Sequence, residues 1–347
     1  MLIFKRGNLL EEKTEALVNT VNCVGVMGRG VALQFKRAFP ENFKQYEKAC
    51  KTGEVKPGEM FIVDMGSLLN PRYIINFPTK RHWRQPSRIE DIESGLRSLI
   101  EEVKSREISS VAIPPLGCGN GGLSWQAVNP LIVQAFKSLP EVEVTLFEPT
   151  GAPAPSAMKV GTTKPKMTAA RAALIRALEL YVLPGYRASR IEIQKLAYFL
   201  KAAGEPALQQ LNYKKFHYGP YSKDLDHAVG RMEGHYVRGY GDGSSRAQVQ
   251  VLPAGHEAAE AFLTQEQSAS HHLERVGRLI EGFETPYGME MLATLHWVAM
   301  EEPQAARRCE VAIQQAQDWS DRKKNLFEPY HLEVAWKHLR DNEWFVR

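Results

Sequence analysis

Three segments of the chain gather the residue types that sugar and phosphate chemistry uses. In the first, Thr20-Val21-Asn22-Cys23-Val24-Gly25-Val26-Met27-Gly28-Arg29-Gly30-Val31, an apolar run ends in an asparagine and passes through spaced glycines into a helical pattern. Glycines ahead of a helix let bare backbone N–H groups face an anion. The same pattern also makes tight turns that hold no ligand. The second segment, Pro114-Pro115-Leu116-Gly117-Cys118-Gly119-Asn120-Gly121-Gly122-Leu123, places four glycines within six residues between an apolar run and a helical one, a second cradle for phosphate. Its spacing fits neither a dinucleotide fingerprint nor a Walker loop. Cys118 admits a reading as a nucleophilic thiol, yet no histidine stands near it in sequence and a small buried cysteine is the commoner outcome.

The third segment, Asn76-Phe77-Pro78-Thr79-Lys80-Arg81-His82-Trp83-Arg84-Gln85-Pro86-Ser87, is the most one-sided stretch of charge. Between Met65 and Ile89 there is no acid, while Arg72, Lys80, Arg81, Arg84 and Arg88 supply five cations. One reading is a solvated basic loop. The other gives each residue work: Lys80, an amine among cations, has a lowered pKa and attacks carbon; Trp83 stacks a base; Arg81, Arg84 and Arg88 meet phosphates. His82 either exchanges a proton or stacks.

Positioning such loops requires a framework. Apolar β-like runs at 2–5, 16–21, 60–64, 73–76, 111–113 and 142–147 alternate with helical patterns near 30–38, 42–52, 86–104 and 124–138. Strands apolar nearly throughout are buried on both faces, which predicts an α/β domain of three layers with its working loops at the carboxyl ends of the strands. Residues 151–167 carry three prolines, three lysines and no acid, and read as a linker between a domain at 1–150 and one at 168–347. The second domain is mostly helical by pattern. Ser189 and Glu192 form a capping box ahead of Ile193, Leu196, Ala197 and Leu200, Gly204 stops that helix, and further helices fall near 273–283, 289–300 and 332–339. Asp242-Gly243 signals a hairpin between 236–240 and 247–252, and Tyr218-Gly219-Pro220-Tyr221 reads as a turn into a helix.

Composition removes several classes. The chain has 347 residues, 44% hydrophobic and 24% charged, and no apolar run of the ~18 residues that a membrane span needs. Met1-Leu2-Ile3-Phe4-Lys5-Arg6 leads directly into a strand pattern, so the expectation is a cytoplasmic protein with no membrane partner. A net charge of +4 is too mild to imply a nucleic-acid partner alone. Four scattered cysteines (Cys23, Cys50, Cys118 and Cys309) give no disulfide framework and no zinc spacing, and neither metal nor cofactor is expected.

With these residues in view, 1–150 resembles a macrodomain, the ADP-ribose-binding fold with a mixed sheet between helices. Gly7-Asn8-Leu9-Leu10 is similar to the family's Gly-Asp-Ile/Leu-Thr signature, and Gly117 to Leu123 to its phosphate-binding loop. Phe77-Pro78-Thr79-Lys80, with Gly117-Cys118-Gly119 and Leu123-x-Trp125, resembles the branch with a catalytic lysine that includes terminal ADP-ribose glycohydrolases and DarG antitoxins. Residues 195–201 and 216–225 are similar to Panacea or SocA-like antitoxin domains.

The resemblance implies an enzyme that removes ADP-ribose from thymidine in single-stranded DNA and a second domain that binds the cognate DarT-type transferase toxin. It implies Lys80 as catalyst and Asn22 on the distal ribose. Asn8, Leu9, Thr20, Gly28, Arg29, Gly30, Val31, Pro115, Gly117, Cys118, Gly119, Asn120, Gly121, Gly122 and Leu123 would line the remaining ligand, and Arg81, His82, Trp83, Arg84 and Arg88 the DNA. Two departures stand out. Asn8 replaces the aspartate that accepts from adenine, and Gly121 stands where terminal glycohydrolases carry a catalytic aspartate. A non-catalytic ADP-ribose reader joined to an interaction module is the alternative reading.

Overall fold

The computed structural model describes the chain except residues 68, 152–157, 183–185, 241–246, 265–268 and 346–347. It comprises two compact units, Met1–Thr163 and a second from Lys164 onward.

The first unit is built on strands β1 (Leu2–Lys5), β2 (Ala16–Asn22), β3 (Phe61–Asp64), β4 (Tyr73–Lys80), β5 (Ser110–Ile113) and β6 (Glu143–Phe147). They form one sheet in the order β1-β6-β5-β2-β4-β3, parallel except for β3. Helices α1 (Gly30–Ala38), α2 (Pro40–Lys51), α3 (Ile89–Ser105) and α4 (Trp125–Phe136) complete the unit. Alternation along the strands sorts side chains into two cores. Ala16, Val18, Tyr73, Ile75 and Phe77 join Ile92, Leu96, Val128 and Ile132, whereas Leu17, Ile74 and Ala112 join Leu9, Leu10 and Phe35. Period two along a strand therefore produces the three layers.

Strand β4 departs from expectation. It continues four residues past Asn76, so Phe77, Pro78, Thr79 and Lys80 are strand rather than loop. Pairing with β3 stops at Asn76, leaving β4 paired on one side only, where an imino acid is tolerated. Asn76 is also not a strand end. It lies in the core, accepting from Asn19 Nδ2 at 3.0 Å and donating to Asn42 Oδ1 at 2.7 Å, which ties α2 to the sheet. Beyond residue 150, Met158 is buried and the Gly161 N–H donates to the Arg37 carbonyl at 2.8 Å, so the first unit extends to Thr163.

The second unit is mostly helical: α5 (Ala169–Tyr181), α6 (Arg190–Ala202), α7 (Lys223–Met232), α8 (Pro253–Leu263), α9 (Ala269–Ile280), α10 (Pro286–Glu301), α11 (Pro303–Arg307), α12 (Cys309–Gln317), α13 (Asp321–Leu326) and α14 (Pro329–Asp341). The Ser189–Glu192 capping box is present, and Glu192, fully buried, also accepts the hydroxyls of Tyr181 and Tyr186. Short strands β7 (Ala188–Ser189), β10 (Val237–Arg238) and β11 (Gln248–Val251) form a small sheet. The Asp242-Gly243 turn expected between the last two lies outside the described residues. Tyr218-Gly219-Pro220-Tyr221 is not a turn into a helix. It closes a hairpin of β8 (Lys214–Phe216) and β9 (Gly219–Tyr221), because Gly219 at φ +89° lets the chain reverse before α7 begins at Lys223. No described helix is long and apolar enough to cross a membrane.

Candidate active site

Strands β4, β2 and β5 are neighbours, and each of the three chemical segments leaves the carboxyl end of one of them. Lys80 closes β4, and its partner in register across the ladder is Asn22, the last residue of β2. The glycine loop 114–123 follows β5. Parallel pairing thus brings together residues up to 100 positions apart, as open α/β sheets do at their carboxyl ends.

Asn22 is buried and shapes its own loop. Its Oδ1 accepts from the Val24 N–H at 3.0 Å and the Val26 N–H at 3.3 Å, and its Nδ2 donates to the Val26 carbonyl at 2.6 Å. Tyr46 of α2, also buried, donates its hydroxyl to the Asn22 carbonyl at 2.6 Å and so fixes the strand end from behind. The turn then delivers exposed Gly28 and Arg29 to the start of α1 at Gly30, whose φ of +60° favours glycine. No side chain caps this helix, and Val31 is half-buried at its first turn. Thr20 is half-buried within β2.

The second loop is held by its own backbone. Cys118 N–H donates to the Pro115 carbonyl, Gly122 N–H to Gly119 and Leu123 N–H to Gly117, all at 3.1–3.2 Å. Gly119 opens into free space, so no side chain stands between its backbone and a ligand. Gly121 is the opposite case. A Cβ there would lie 2.2 Å from Ser87 Oγ and 2.3 Å from the Gly117 carbonyl oxygen, so no side chain, acidic or otherwise, fits without rebuilding the loop. Ser87 reinforces the contact by donating its N–H to the Gly121 carbonyl at 2.9 Å, while its own buried Oγ has no partner. Sequence reading passed over Ser87 and Tyr46. Ser87 stood inside the basic segment, but nothing local to Tyr46 points to Asn22. Burial pushes the Cys118 thiol up to about 11, and its Sγ lies against the Leu116 carbonyl, so it holds no thiolate at neutral pH.

Lys80 donates to the Asn120 carbonyl at 2.7 Å and to the Trp83 carbonyl at 3.2 Å, joining the basic segment to the glycine loop. Burial lowers its pKa, in place of the neighbouring cations invoked from sequence. One cation is in fact committed elsewhere. Arg81 grips Asp91, a buried carboxylate in the first turn of α3, through Nε at 3.2 Å and a terminal nitrogen at 3.0 Å. Exposed Arg84 lies 4.5 Å over the half-exposed Trp83 ring, which His82 stacks at 5.4 Å, and Arg88 is exposed just before α3. Helix α3 starts at Ile89 rather than Pro86, since Ser87 gives its N–H to the Gly121 carbonyl and Arg88 is extended.

Asn8 caps a 3-10 turn at Leu9–Glu11, accepting the Leu10 N–H at 3.1 Å, so its amide oxygen serves the backbone first. The Leu9 side chain is in the core, which leaves only its backbone to meet a ligand. A separate cavity of about 630 Å³, lined by Glu15, Asp64, Gly66, Ser67, Asn70, Arg72 and Ser109, lies at the amino ends of β2, β4 and β5, away from all these groups. Among the described residues no cluster of His, Cys, Asp and Glu could hold a metal ion.

Residues 18–132 match the Macro domain family. The chain is 46% identical over 350 residues to a DNA ADP-ribosyl glycohydrolase of Thermus aquaticus, covering 99% of this chain and 96% of that protein. A DNA ADP-ribosyl transferase-DNA ADP-ribosyl glycohydrolase fusion protein of Thermosipho africanus is 37% identical over 158 residues, 41% of this chain and 40% of the fusion. The solved macrodomain of Mycobacterium tuberculosis DarG is 57% identical, with a TM-score of 0.43, over 43% of this chain and 99% of that structure.

Proposed function

Because the chain belongs to the DNA ADP-ribosyl glycohydrolase family, we propose that the site at the ends of β2, β4 and β5 holds ADP-ribose linked to thymidine in single-stranded DNA and that Lys80 breaks that link. The chain is an ADP-ribosyl glycohydrolase; substrate base, strand form and residue roles are the finer reading. The observation that carries it is the placement of one amine of lowered pKa within 2.7 Å of a glycine loop open to phosphate.

In this reading the diphosphate lies between the start of α1 at Gly28–Val31 and the loop Gly117–Gly122, met by backbone N–H groups. Neutral Lys80 attacks C1 of the distal ribose. The new C–N bond forms as the bond to the base breaks, the base leaves with the electron pair, and it takes up the proton that Nζ gives away. Water then releases ADP-ribose and regenerates the amine. Because Gly121 has no room for an acid, no carboxylate of this loop assists the last step. The transition state has oxocarbenium character, so the pyrophosphate and the loop dipoles supply the electrostatic stabilisation.

The second unit is the toxin-binding module of this proposal, acting on a DarT-type transferase. Support comes from the single chain in which Thermosipho africanus joins transferase and glycohydrolase, which puts the two activities in one biological unit. The deciding experiment is incubation of the protein with a thymidine-ADP-ribosylated single-stranded oligonucleotide. Release of free ADP-ribose and intact oligonucleotide is expected; an untouched substrate that nevertheless binds tightly would leave the reader alternative. For the second unit, co-expression of residues 164–347 with a DarT-type transferase should give a copurifying complex.

A further inference from the structure

The β8–β9 hairpin of the second unit shows solvent a row of cations and rings. Lys214, Lys215, Phe216, His217 and Tyr218 are all exposed, with Phe216 at 50% and Tyr218 at 43%. A single exposed ring needs no explanation; two on one short hairpin among lysines do. From Pro206 to Lys223 the chain has three lysines and no acid, as the segment around Trp83 has none. The hairpin is also braced from beneath. Trp319 Nε1 donates to the Phe216 carbonyl at 2.9 Å and Lys195 Nζ to the Pro220 carbonyl at 2.7 Å, while Arg322 lies 4.6 Å over the Tyr218 ring and Lys215 4.6 Å over that of Trp319. Lys195, Arg322 and Lys323 share one carboxylate, Glu290, so basic groups outnumber acidic ones under the hairpin. Unbalanced charge beside a low-dielectric core projects its field onto the surface above it.

We propose that this hairpin is a second contact for single-stranded DNA, with bases stacked on Phe216 and Tyr218 and phosphates met by Lys214 and Lys215. Cations attract any polyanion, and the rings narrow the choice. An acidic peptide uses the cations alone, a duplex hides the faces of its bases, and a single strand uses rings and cations together. Bracing from below adds to the fit, because a turn already held in place loses little freedom when a strand settles on it. The inference goes beyond the toxin-binding role given to the second unit above and takes only the choice of DNA from the substrate reading.

The test uses the full-length protein and a fluorescein-labelled thymidine 20-mer without ADP-ribose, read by anisotropy. Phe216→Ala and Tyr218→Ala should each weaken binding about five-fold or more, as loss of one stacked base requires. Tyr218→Phe keeps the ring and should bind as wild type does. Lys214→Gln with Lys215→Gln should flatten the dependence of affinity on salt by between about one and two counterions. Melting temperatures of the Tyr218 and lysine variants, which change exposed groups only, should match that of wild type. Wild-type affinity in the Phe216→Ala, Tyr218→Ala double variant overturns the proposal. So does a double variant that keeps the strand and loses a DarT-type transferase, since the hairpin is then a protein contact, and so does tighter binding of a uridine 20-mer of RNA. Release of ADP-ribose from the modified oligonucleotide is scored separately. If wild type releases none while the rings still govern binding of the 20-mer, the catalytic reading falls and the hairpin contact stands.

Discussion

Burial lowers the pKa of four lysines among the described residues, Lys36, Lys80, Lys195 and Lys323, and two of them, Lys80 and Lys195, stand in opposite settings. Lys195 of α6 is 1% exposed, pushed down to about 7 by burial and by nearby Lys323, and donates to the Pro220 carbonyl at 2.7 Å under the β8–β9 hairpin. Around it Glu290 accepts from Lys323 and from Arg322 at 2.6 and 3.1 Å, and Lys323 reaches Thr294 at 3.1 Å. Nothing can enter. Lys80 has a smaller fraction of its surface covered but stands at a strand end, bonded to two carbonyls of two different loops. A perturbed amine marks a reactive site only where a substrate reaches it. In the second unit the same chemistry clamps a hairpin instead.

One substitution in each region should separate the two settings most sharply. Lys80→Ala should lower turnover of ADP-ribosylated oligonucleotide by roughly 1,000-fold or more while leaving the melting temperature and ADP-ribose affinity nearly unchanged, since Nζ makes no buried contact that the fold depends on. Lys80→Arg should fail equally, because a guanidinium stays charged at every accessible pH. Single-turnover rates against pH check the assignment further. With the lysine pKa lowered, the neutral form gains as pH rises through it, so wild-type rates should climb toward alkaline pH and level off below the ordinary lysine range. A Lys80→Ala protein that keeps wild-type turnover would move the chemistry to another residue.

The same contrast explains what the sequence could and could not say. The three segments were legible because glycine spacing, charge and strand ends are local features, and their meeting follows from any parallel sheet that sets β4, β2 and β5 side by side. The extension of β4 to Lys80 was not legible, since Pro78 argues against a strand until pairing is known to be one-sided. Arg81 looked like its neighbours in a run of cations. Only the fold brings Asp91 to it. Gly121 read as a missing acid, whereas the crowding from Ser87 and Gly117 is a packing fact without any sequence signature. In the second unit the capping box was visible at three-residue spacing, but the network of Lys195, Glu290, Arg322 and Lys323 spans more than 120 positions and shows only as ordinary helical charge.

Glu290→Ala should be the mirror image of the lysine variant. Glu290 is 2% exposed, and its loss leaves Lys323, which is fully buried, without its counter-charge. Breaking a buried pair from one side costs about 3–5 kcal/mol, so urea unfolding followed by tryptophan fluorescence, to which Trp297, Trp319, Trp336 and Trp344 of this unit contribute, should show a transition at lower denaturant. Turnover per folded molecule should stay within about two-fold of wild type. If turnover falls with stability intact, the network acts on the active site and the separation between the two lysines is wrong.

The smallest effect is expected at Trp83, where it also tests which cations serve DNA. The ring is 46% exposed but already carries His82 and Arg84, so a base gains a stacking partner only by displacing one of them. Base stacking is worth ~1–3 kcal/mol, and displacement returns part of it, so Trp83→Ala should weaken a long oligonucleotide substrate about five- to thirty-fold. A mononucleoside substrate should change by less than about two-fold, because it reaches the lysine without the flanking strand. Salt then distinguishes the arginines. Arg84→Ala and Arg88→Ala should each flatten the dependence of affinity on salt by about one counterion, as loss of a phosphate contact requires. Arg81→Ala should leave that slope alone and act on stability, because its guanidinium answers to Asp91. Should Arg81→Ala flatten the slope as the others do, the ion pair opens when DNA arrives, and the basic segment works as a unit after all.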